Sequence, residues 1–487
     1  MRSLSEPAFL VIDAGTGGIK CLVFDGRGSL VFRADAPINF NFSGYAIDFS
    51  ASQAWNNICR LVRLALRACS KRDLDIVSVS STSMREGNVF LDRSGRELLA
   101  VPNMDSRAAE ETKLIEPSFA DLIYDKSGHW PSSIFLLSRL RWLRGNRPSM
   151  FRKISKVSMI NDWILYKFSN QLFSEPTNAC ETSMFDLSHR NWSAEIIKES
   201  GFESSIFPQI RECGTNIGPI TREVSERTGL GGSTSVIVGA ADTEAAVAGC
   251  GVFEPENSVA VAGTTTPVQA VTNRVVLDGE KRTWSCCHVI PNRWVLESNA
   301  GATGLVMKWW SDLVGMKFSK LDEEAFHDRG KTGRGRVEVD MGVAVMNAKN
   351  PHPLSGSIRN LGIWTRRAEI TRGIIEANCF SVKANLEQLE TVLAKKTRGL
   401  FFCGGSASSR LWMQLQADIL KREFVRFKSG VASGVGVAML SAVSLGKFSE
   451  LTAARRSFLR EKELVKPSKV HMDYLDDMFK EWIRNHL

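Results

Sequence analysis

The chain opens with two apolar runs separated by a glycine-rich turn, and this pattern predicts a β-hairpin. The runs Phe9–Ile12 and Ile19–Phe24 consist mostly of the β-branched and large apolar residues that favour strands. The turn carries residues that suit a phosphate group, namely Gly15, Thr16, Gly17, Gly18 and Lys20. Glycines let the backbone approach phosphate oxygens closely, and Asp13, at the end of the first run, is placed to hold a hydrated Mg²⁺. An ordinary hairpin turn is the alternative interpretation.

Alternating strand-like and helix-like patterns continue through the first half of the chain. Ser52–Cys69 repeats apolar residues on one helix face, and Asp75–Val79 is typical of a buried strand. A polar loop is predicted at Ser81–Gly87. The further predicted elements are a hairpin from Val89–Leu91 and Leu98–Val101 and helices at Ser132–Leu143 and Ile160–Phe168. Such alternation is typical of an α/β fold.

The opening pattern of strand and glycine turn returns twice. Ser258–Ala262 and Pro267–Val271 flank the sequence Gly-Thr-Thr-Thr, and Leu400–Cys403 precedes Gly404-Gly405-Ser406 and a predicted helix at Arg410–Leu420. The repetition predicts two related halves with a cleft between them. We expect an N-terminal domain over residues 1–250, a C-terminal domain over 251–450 and a helical segment over 451–487.

The composition is ordinary for a soluble globular protein with two large domains. The chain has 487 residues, of which 43% are apolar and 24% charged. A formal net charge of +9 could attract polyanions. Lysines and arginines are scattered, however, and form only short clusters such as Arg139, Arg141 and Arg144. A solvated basic surface is therefore favoured, and we expect no nucleic-acid partner.

The cysteine pattern indicates a reducing compartment. Ten cysteines occur without any Cys-x-x-Cys pair, so neither a disulfide framework nor a zinc framework is predicted. Cys286-Cys287-His288 is the only metal-like cluster, and adjacent residues rarely ligate one ion well. The N-terminal apolar run is too short for a signal peptide, and no run reaches membrane-spanning length. We expect a cytoplasmic protein without a membrane partner.

Three motifs follow one another along the chain: Asp13-x-Gly15-Thr16, then Gly239-Ala240-Ala241-Asp242 with Gly263-Thr264, then Gly404-Gly405-Ser406 with Gln414-x-x-Ala417-Asp418. In this order they resemble the FGGY carbohydrate kinases over about residues 8–445. The resemblance implies an α/β fold of two ribonuclease-H-like domains, as in actin and the sugar kinases, with a catalytic cleft between them. It also implies ATP and Mg²⁺ as cofactors and a small sugar-like substrate, and it is compatible with a homodimer.

The same resemblance implies roles for individual residues. Asp242 matches the catalytic base, and a helix N-cap for Thr243–Cys250 is its alternative role. Asp13 matches the ligand of Mg²⁺. The second phosphate turn corresponds to Gly263, Thr264 and Thr265. The nucleotide contacts correspond to Gly404, Gly405 and Ser408, with Gly301 as a weaker candidate.

Arg85 and Glu86 are the first indication of a substrate. Such a pair can donate to and accept from neighbouring hydroxyl groups, although a solvated surface loop is the alternative. Ser83–Gly87, followed by Asn103-x-Asp105-x-Arg107, resembles the autoinducer-2 kinases within the family. The substrate contacts so implied are Arg85, Glu86, Asn103, Asp105 and Asp242. The implied acceptor is the autoinducer-2 precursor, 4,5-dihydroxypentane-2,3-dione.

Two other functions stay open. One is a kinase of another polyol or ketose, of the glycerol, xylulose or erythritol type. The other is a nucleotide-dependent sensor without catalysis, which is suggested by Gly18 because many relatives carry serine or threonine there. Lys20 also replaces the commoner arginine with a point charge. Retention of Asp13 and Asp242 favours an active enzyme.

Overall fold

Two β-sheets with related strand orders form the centre of the molecule. The computed structural model describes residues 6–327, 337–351, 356–428, 430–459, 462–468 and 472–484. The strands in chain order are β1 (Glu6–Gly15), β2 (Gly18–Asp25), β3 (Leu30–Ala36), β4 (Phe40–Ser43), β5 (Ala46–Phe49), β6 (Leu74–Ser83), β7 (Asn88–Leu91), β8 (Glu97–Val101), β9 (Lys156–Met159), β10 (Phe185–Asp186), β11 (Asn191–Trp192), β12 (Asn216–Pro219), β13 (Ser235–Ala241), β14 (Asn257–Ala262), β15 (Pro267–Thr272), β16 (Trp284–Cys287), β17 (Trp294–Asn299), β18 (Glu338–Asp340), β19 (Ser357–Arg359), β20 (Gly399–Gly404), β21 (Phe424–Phe427) and β22 (Lys462–Val465).

Helices cover the sheets and connect their strands. They are α1 (Ala51–Ser70), α2 (Ala109–Lys113), α3 (Pro117–Ser127), α4 (Leu136–Asn146), α5 (Pro148–Phe151), α6 (Ile160–Ser169), α7 (Pro176–Ala179), α8 (Ala194–Ser200), α9 (Arg222–Thr228), α10 (Asp242–Gly249), α11 (Thr303–Leu313), α12 (Phe318–His327), α13 (Arg367–Val392), α14 (Arg410–Leu420), α15 (Ala432–Ser444), α16 (Leu451–Phe458) and α17 (Met472–Arg484). Short 3₁₀ turns lie at Cys180–Thr182, Ser204–Ile206 and Ser406–Ser408. Within the described ranges, every helix is too short or too polar to cross a membrane.

The two large sheets repeat one topology. The first has the order β12-β13-β6-β1-β2-β3, and the second has the order β16-β17-β15-β14-β20-β21-β22. In each sheet a hairpin is antiparallel, β1 with β2 and β14 with β15. The first strand of each hairpin also lies parallel to a strand that follows a long connection, which is β6 or β20. This repetition confirms the predicted α/β fold with two related halves.

The predicted strand before the polar loop is longer than expected. β6 runs to Ser83, so the loop begins only at Met84 and not at Ser81. Residues 80–83 pair with β1 and are fully buried between β1 and β13. Gly239 explains the close approach of β13, because a Cβ atom there would lie 1.6 Å from the carbonyl oxygen of Ser81. Polar serines therefore continue the strand where the sequence pattern indicated a loop.

The C-terminal segment is not entirely helical. It contains α16 and α17, but β22 lies between them and pairs antiparallel with β21 at the edge of the second sheet. Side chains of α17 join the apolar core of that sheet, among them Phe479 and Trp482. The predicted final helix extends to Leu487, and its last three residues, 485–487, lie outside the described ranges.

Helices α10 and α15 connect the two halves at close range. α15 follows the second sheet in sequence, yet it packs with Phe9 and Leu22 in the apolar core beneath the first sheet. A Cβ atom on Gly436 would lie 1.9 Å from the carbonyl oxygen of Ala245, and one on Gly249 would lie 1.9 Å from that of Ala432. The two helices therefore contact each other through their backbones.

Candidate active site

The two glycine turns face each other although they are far apart in sequence. Thr16 Oγ1, after β1, lies 3.3 Å from Thr264 Oγ1, after β14. Gly17, Gly263, Thr264 and Thr265 are exposed. The N–H group of Gly263 is already used, because it donates to the carbonyl oxygens of Val261 and Thr265. The structure thus brings the two predicted phosphate turns to one place.

The backbone conformation explains why residue 18 is a glycine. Its φ is +130°, and a Cβ atom would lie 2.7 Å from the carbonyl oxygen of Ala36 in β3. A serine or threonine would require β3 to move. The absence of a hydroxyl side chain at this position therefore follows from the local fold and is not by itself evidence of lost chemistry.

Asp13 lies in β1 directly opposite Lys20 in β2. The carboxylate is buried, with 2% of the residue exposed, and its Oδ2 accepts from Lys20 Nζ at 2.9 Å and from Ser433 Oγ at 3.3 Å. Ser433 belongs to α15, so a residue of the C-terminal half helps to fix Asp13. Both of these contacts use Oδ2. A carboxylate oxygen beside a glycine turn fits the oxygen ligands that Mg²⁺ prefers.

Asp242 is the first residue of α10 and follows β13 without a loop. The N-cap position belongs to Ala241, so the alternative role of Asp242 as an N-cap is wrong: the helix begins one residue earlier than predicted, and Asp242 is its first residue. The N–H group of Ala241 donates to Thr177 Oγ1 at 2.8 Å, which fixes the backbone next to Asp242. Burial raises the pKa of Asp242 to about 6; Asp13 adds to this effect, and Arg85 and Lys20 oppose it.

Arg85 and Glu86 follow β6 and are buried, so the alternative of a solvated surface loop is wrong. The Arg85 guanidinium forms a bidentate pair with Glu297 in β17, at 2.6 and 2.9 Å. It also donates to Glu181 Oε1 at 2.9 Å and lies over the ring of Trp284, 5.7 Å from its centroid. Arg85 thereby joins residues of both halves of the chain.

Glu86 has two unusual properties. Its φ is +57°, in the left-handed region that non-glycine residues adopt only uncommonly. Burial raises the pKa of its carboxyl group to about 8; Arg85, whose Nε lies 3.7 Å from Glu86 Oε1, lowers it, and Glu181 and Asp242 raise it. At neutral pH Glu86 is therefore mostly protonated and can donate a hydrogen bond.

Asn103 and Asp105 lie on the loop after β8 and differ in the hydrogen bonds that their side chains make. Asn103 Oδ1 is buried and has no hydrogen-bond partner among the described residues. The fully buried Asp105 carboxylate accepts from the Ile47 N–H at 2.9 Å and from Arg107 Nε at 2.7 Å. Asp105 orders the loop, whereas Asn103 keeps an acceptor for another group.

Arg139 is buried beside the predicted substrate loops, which its sequence context did not indicate. We expected it on a solvated basic surface, but it is only 1% exposed because it shares the inner face of α4 with buried leucines. Its guanidinium donates to four acceptors of the substrate loops: the carbonyl oxygens of Glu86, Pro102 and Asp105 and the side-chain oxygen of Asn88. Its Nε lies 3.2 Å from Asp105 Oδ2. The only sequence signal was its spacing from Leu136 and Leu143.

The predicted nucleotide residues lie beside the second glycine turn. Gly404 pairs with Ala262 in the parallel register of β14 and β20, has a φ of +96°, and would place a Cβ atom 2.3 Å from the Ala262 carbonyl oxygen. Gly405 is exposed, and its carbonyl oxygen accepts from Ser408 Oγ at 2.6 Å. The carbonyl oxygen of Gly301 accepts from the N–H group of Thr266 at 3.2 Å.

Comparison with known proteins agrees with this geometry. The N-terminal domain model of the FGGY family of carbohydrate kinases matches residues 8–249, and the C-terminal domain model matches residues 258–445. The protein named "Putative sugar kinase YoaC" of Bacillus subtilis is 31% identical over 92% of each chain. An autoinducer-2 kinase of Enterobacter is 27% identical over 97% of this chain and 93% of its own length. A glycerol kinase of Plasmodium falciparum, solved with ADP, superposes with a TM-score of 0.86 at 18% identity, covering 99% of this chain and 98% of its own.

Replacement of Arg139 by lysine is expected to destabilise the fold. A lysine ammonium lacks the planar guanidinium that reaches the four acceptors of the substrate loops. Arg139→Lys should therefore lower the free energy of unfolding by about 2 kcal/mol or more. Arg141→Lys, on the same helix but half-buried, should change it by less than about 0.5 kcal/mol. Urea unfolding followed by tryptophan fluorescence measures both variants. Equal changes would contradict the role assigned to Arg139.

Proposed function

The chain belongs to the FGGY family of carbohydrate kinases, and we propose that it transfers the γ-phosphoryl group of ATP to a hydroxyl group of a small, linear hydroxylated carbonyl compound. The first candidate is the autoinducer-2 precursor, 4,5-dihydroxypentane-2,3-dione. The position of Asp242 carries the proposal. Its carboxylate interacts electrostatically with Asp13 and Lys20 of the first glycine turn and with Arg85 of the substrate loop. We therefore assign this carboxylate as the base between the first glycine turn and the substrate loop.

In the proposed reaction, the hydroxyl oxygen of the acceptor bonds to the γ-phosphorus as the bond from that phosphorus to the β–γ bridging oxygen breaks. Asp242 takes the hydroxyl proton, which requires its ionised form. Lys20 and the backbone N–H groups of the two facing turns stabilise negative charge on the phosphates. Asp13 would hold Mg²⁺, which neutralises part of that charge when it is bound.

The acceptor side offers complementary hydrogen-bonding groups. Protonated Glu86 can donate to a carbonyl or hydroxyl oxygen, and Asn103 Oδ1 can accept from a hydroxyl. Arg85 is already engaged by two glutamates, so we assign it to orienting Glu86 as well as to contacting the substrate. Arg139 joins the two loops that carry this donor and this acceptor through the carbonyl oxygens of Glu86 and Pro102. Such a pair suits a molecule that carries both carbonyl and hydroxyl groups. Similarity to autoinducer-2 kinases supports the same choice.

A catalytically inactive sensor receives no support from Gly18, since its backbone conformation accounts for glycine there. Asp13, Lys20 and Asp242 are all present and are electrostatically linked. Other polyols and ketoses therefore remain the alternatives that an experiment has to separate.

A substrate panel tests the proposal. ADP release is measured with 4,5-dihydroxypentane-2,3-dione, glycerol, xylulose and erythritol at saturating Mg²⁺ and ATP. We expect kcat/KM to be at least about tenfold higher for the dione, because each unpaired polar group that another acceptor leaves in the site costs about 1 kcal/mol or more. Higher kcat/KM with glycerol or xylulose would overturn the substrate assignment, and no turnover with any acceptor would overturn the kinase assignment.

Matched variants belong to the same experiment. Asp242→Asn should lower kcat by about 10²-fold or more and leave ATP binding intact, since a general base contributes about 10²–10⁴ in rate. Asp35→Asn, an exposed aspartate of β3 paired with Arg33, is the control and should retain full activity. Unchanged turnover in Asp242→Asn would remove Asp242 from the mechanism.

The pH dependence of kcat/KM should be bell-shaped. The pKa of Asp242 is raised to about 6, so its base form is lost as the pH falls through 6, and the rate should drop about tenfold per unit below that value. The pKa of Glu86 is raised to about 8, so its donated proton is lost above pH 8, and the rate should fall again.

The variant Glu86→Gln separates the acidic decline of kcat/KM from the alkaline decline. Glutamine keeps an N–H donor at every pH, so the alkaline decline should disappear while the acidic decline near pH 6 stays. Persistence of the alkaline decline in this variant would contradict the role given to Glu86.

A further inference from the structure

A buried group of potential metal ligands lies behind Arg85. His129 follows α3, Glu181 lies in the 3₁₀ turn after α7, and Cys286 lies in β16. All three residues are completely buried, and their ligand atoms lie within 4.8 Å of one another. We propose that His129, Glu181 and Cys286 bind one divalent ion of the zinc class, at a site separate from Asp13 and the nucleotide.

The hydrogen bonds of His129 direct an unprotonated nitrogen into this group. Nδ1 lies 2.7 Å from the carbonyl oxygen of Ser127, which can only accept, so Nδ1 carries the proton. In the neutral ring, Nε2 then presents a lone pair to Glu181 Oε2 at 3.0 Å. Two acceptors at that distance need a cation between them, either a proton or a metal ion. A histidine whose other nitrogen donates to a backbone carbonyl is the usual arrangement of a metal ligand.

The thiol of Cys286 favours the metal ion over the proton. Its Sγ lies 3.8 Å from His129 Nε2. Tetrahedral Zn²⁺ with bonds of about 2.0–2.3 Å separates a nitrogen ligand from a sulfur ligand by about 3.6 Å and from an oxygen ligand by about 3.4 Å. The observed separations are within about half an ångström of those values. Histidine nitrogen, carboxylate oxygen and thiolate sulfur are each ligands that Zn²⁺ takes in proteins.

The surrounding charge is also strongly negative. Glu244 and Glu297 approach Cys286 closely, and Arg85 is the one cation that contacts this cluster among the described residues. Glu244 Oε2 is buried without a hydrogen-bond partner in the described ranges, whereas Glu181 Oε2 faces His129 Nε2 at 3.0 Å. Burial of unpartnered carboxylate oxygens is costly. A divalent ion would offset part of that cost and would hold Glu181, whose other oxygen positions Arg85.

The site differs from the cluster that the sequence suggested. In Cys286-Cys287-His288, the backbone N–H of Cys287 donates to Cys180 Sγ at 3.4 Å. His288 Nε2 lies 3.2 Å from the Val252 carbonyl oxygen, and its Nδ1 accepts from the N–H group of Ile290 at 3.0 Å. Because successive strand residues point to opposite faces, only Cys286 reaches His129 and Glu181. Cys287 therefore provides a matched control.

Metal content of the full chain tests the proposal without measuring activity. The reduced protein is incubated with Zn²⁺ in excess Mg²⁺, freed of loose ions on a chelating resin and analysed by mass spectrometry. We expect about one zinc ion per chain. Replacement by Co²⁺ should produce thiolate-to-cobalt absorption in the near ultraviolet. Absence of stoichiometric zinc and of this band in the wild-type protein would overturn the proposal, whatever the catalytic activity.

Two cysteine variants locate the ion. Cys286→Ser should abolish the cobalt band and weaken zinc binding by at least about tenfold, while Cys287→Ser should retain both. Circular dichroism establishes that each variant is folded. If Cys286→Ser does not fold, His129→Gln takes its place and should lower the zinc affinity in the same way. Equal zinc binding by the ligand variant and Cys287→Ser would overturn the assignment.

Discussion

One buried guanidinium organises the candidate active site. Arg85 follows the central strand β6 of the first sheet and forms a bidentate pair with Glu297 of the second sheet, at 2.6 and 2.9 Å. Charges buried in this way cost several kcal/mol each unless they are paired with good geometry. The positions of Glu86, Glu181 and Glu297 therefore depend on Arg85, and the raised pKa of Glu86 reflects the shared low-dielectric environment. The proposed acceptor recognition and a contact between the two halves thus depend on the same interaction.

The phosphate side depends on backbone geometry. The turns after β1 and β14 meet through Thr16 and Thr264, and Ser433 of α15 fixes Asp13. α15 can reach the first sheet because Gly436 lets it contact α10 without side chains in between. Since α10 begins with Asp242, the helix contact that joins the halves also positions the proposed base. The proposed metal ligand Asp13 and the proposed base Asp242 are therefore both held by this pair of helices.

Local patterns predicted the hairpins, the glycine turns and Asp13, because each depends on residues close together in sequence, whereas the role of Asp242 came from the family resemblance. Glu181, Glu297 and Arg139 were not predicted. Arg85 and its two glutamate partners are 96 and 212 residues apart in the chain, and a glutamate inside an apolar strand has no local signal that separates a buried partner from a surface charge. Arg139 was misplaced for the same reason, since its acceptors are carbonyl groups of distant loops. Topology, and not residue pattern, decides which buried charges meet.

A double-mutant cycle between Arg85→Gln and Glu297→Gln tests the central role of this pair most directly. The measured quantity is kcat/KM for acceptor phosphorylation in the wild type, both single variants and the double variant. Arg85→Gln leaves Glu297 without its cation, and Glu297→Gln leaves Arg85 without its bidentate partner although Glu181 still accepts from it. We therefore expect a coupling of about 1.5 kcal/mol or more and a double variant no worse than the poorer single one. If the fold losses in kcat/KM of the two single variants simply multiply in the double variant, the central role of this pair is contradicted.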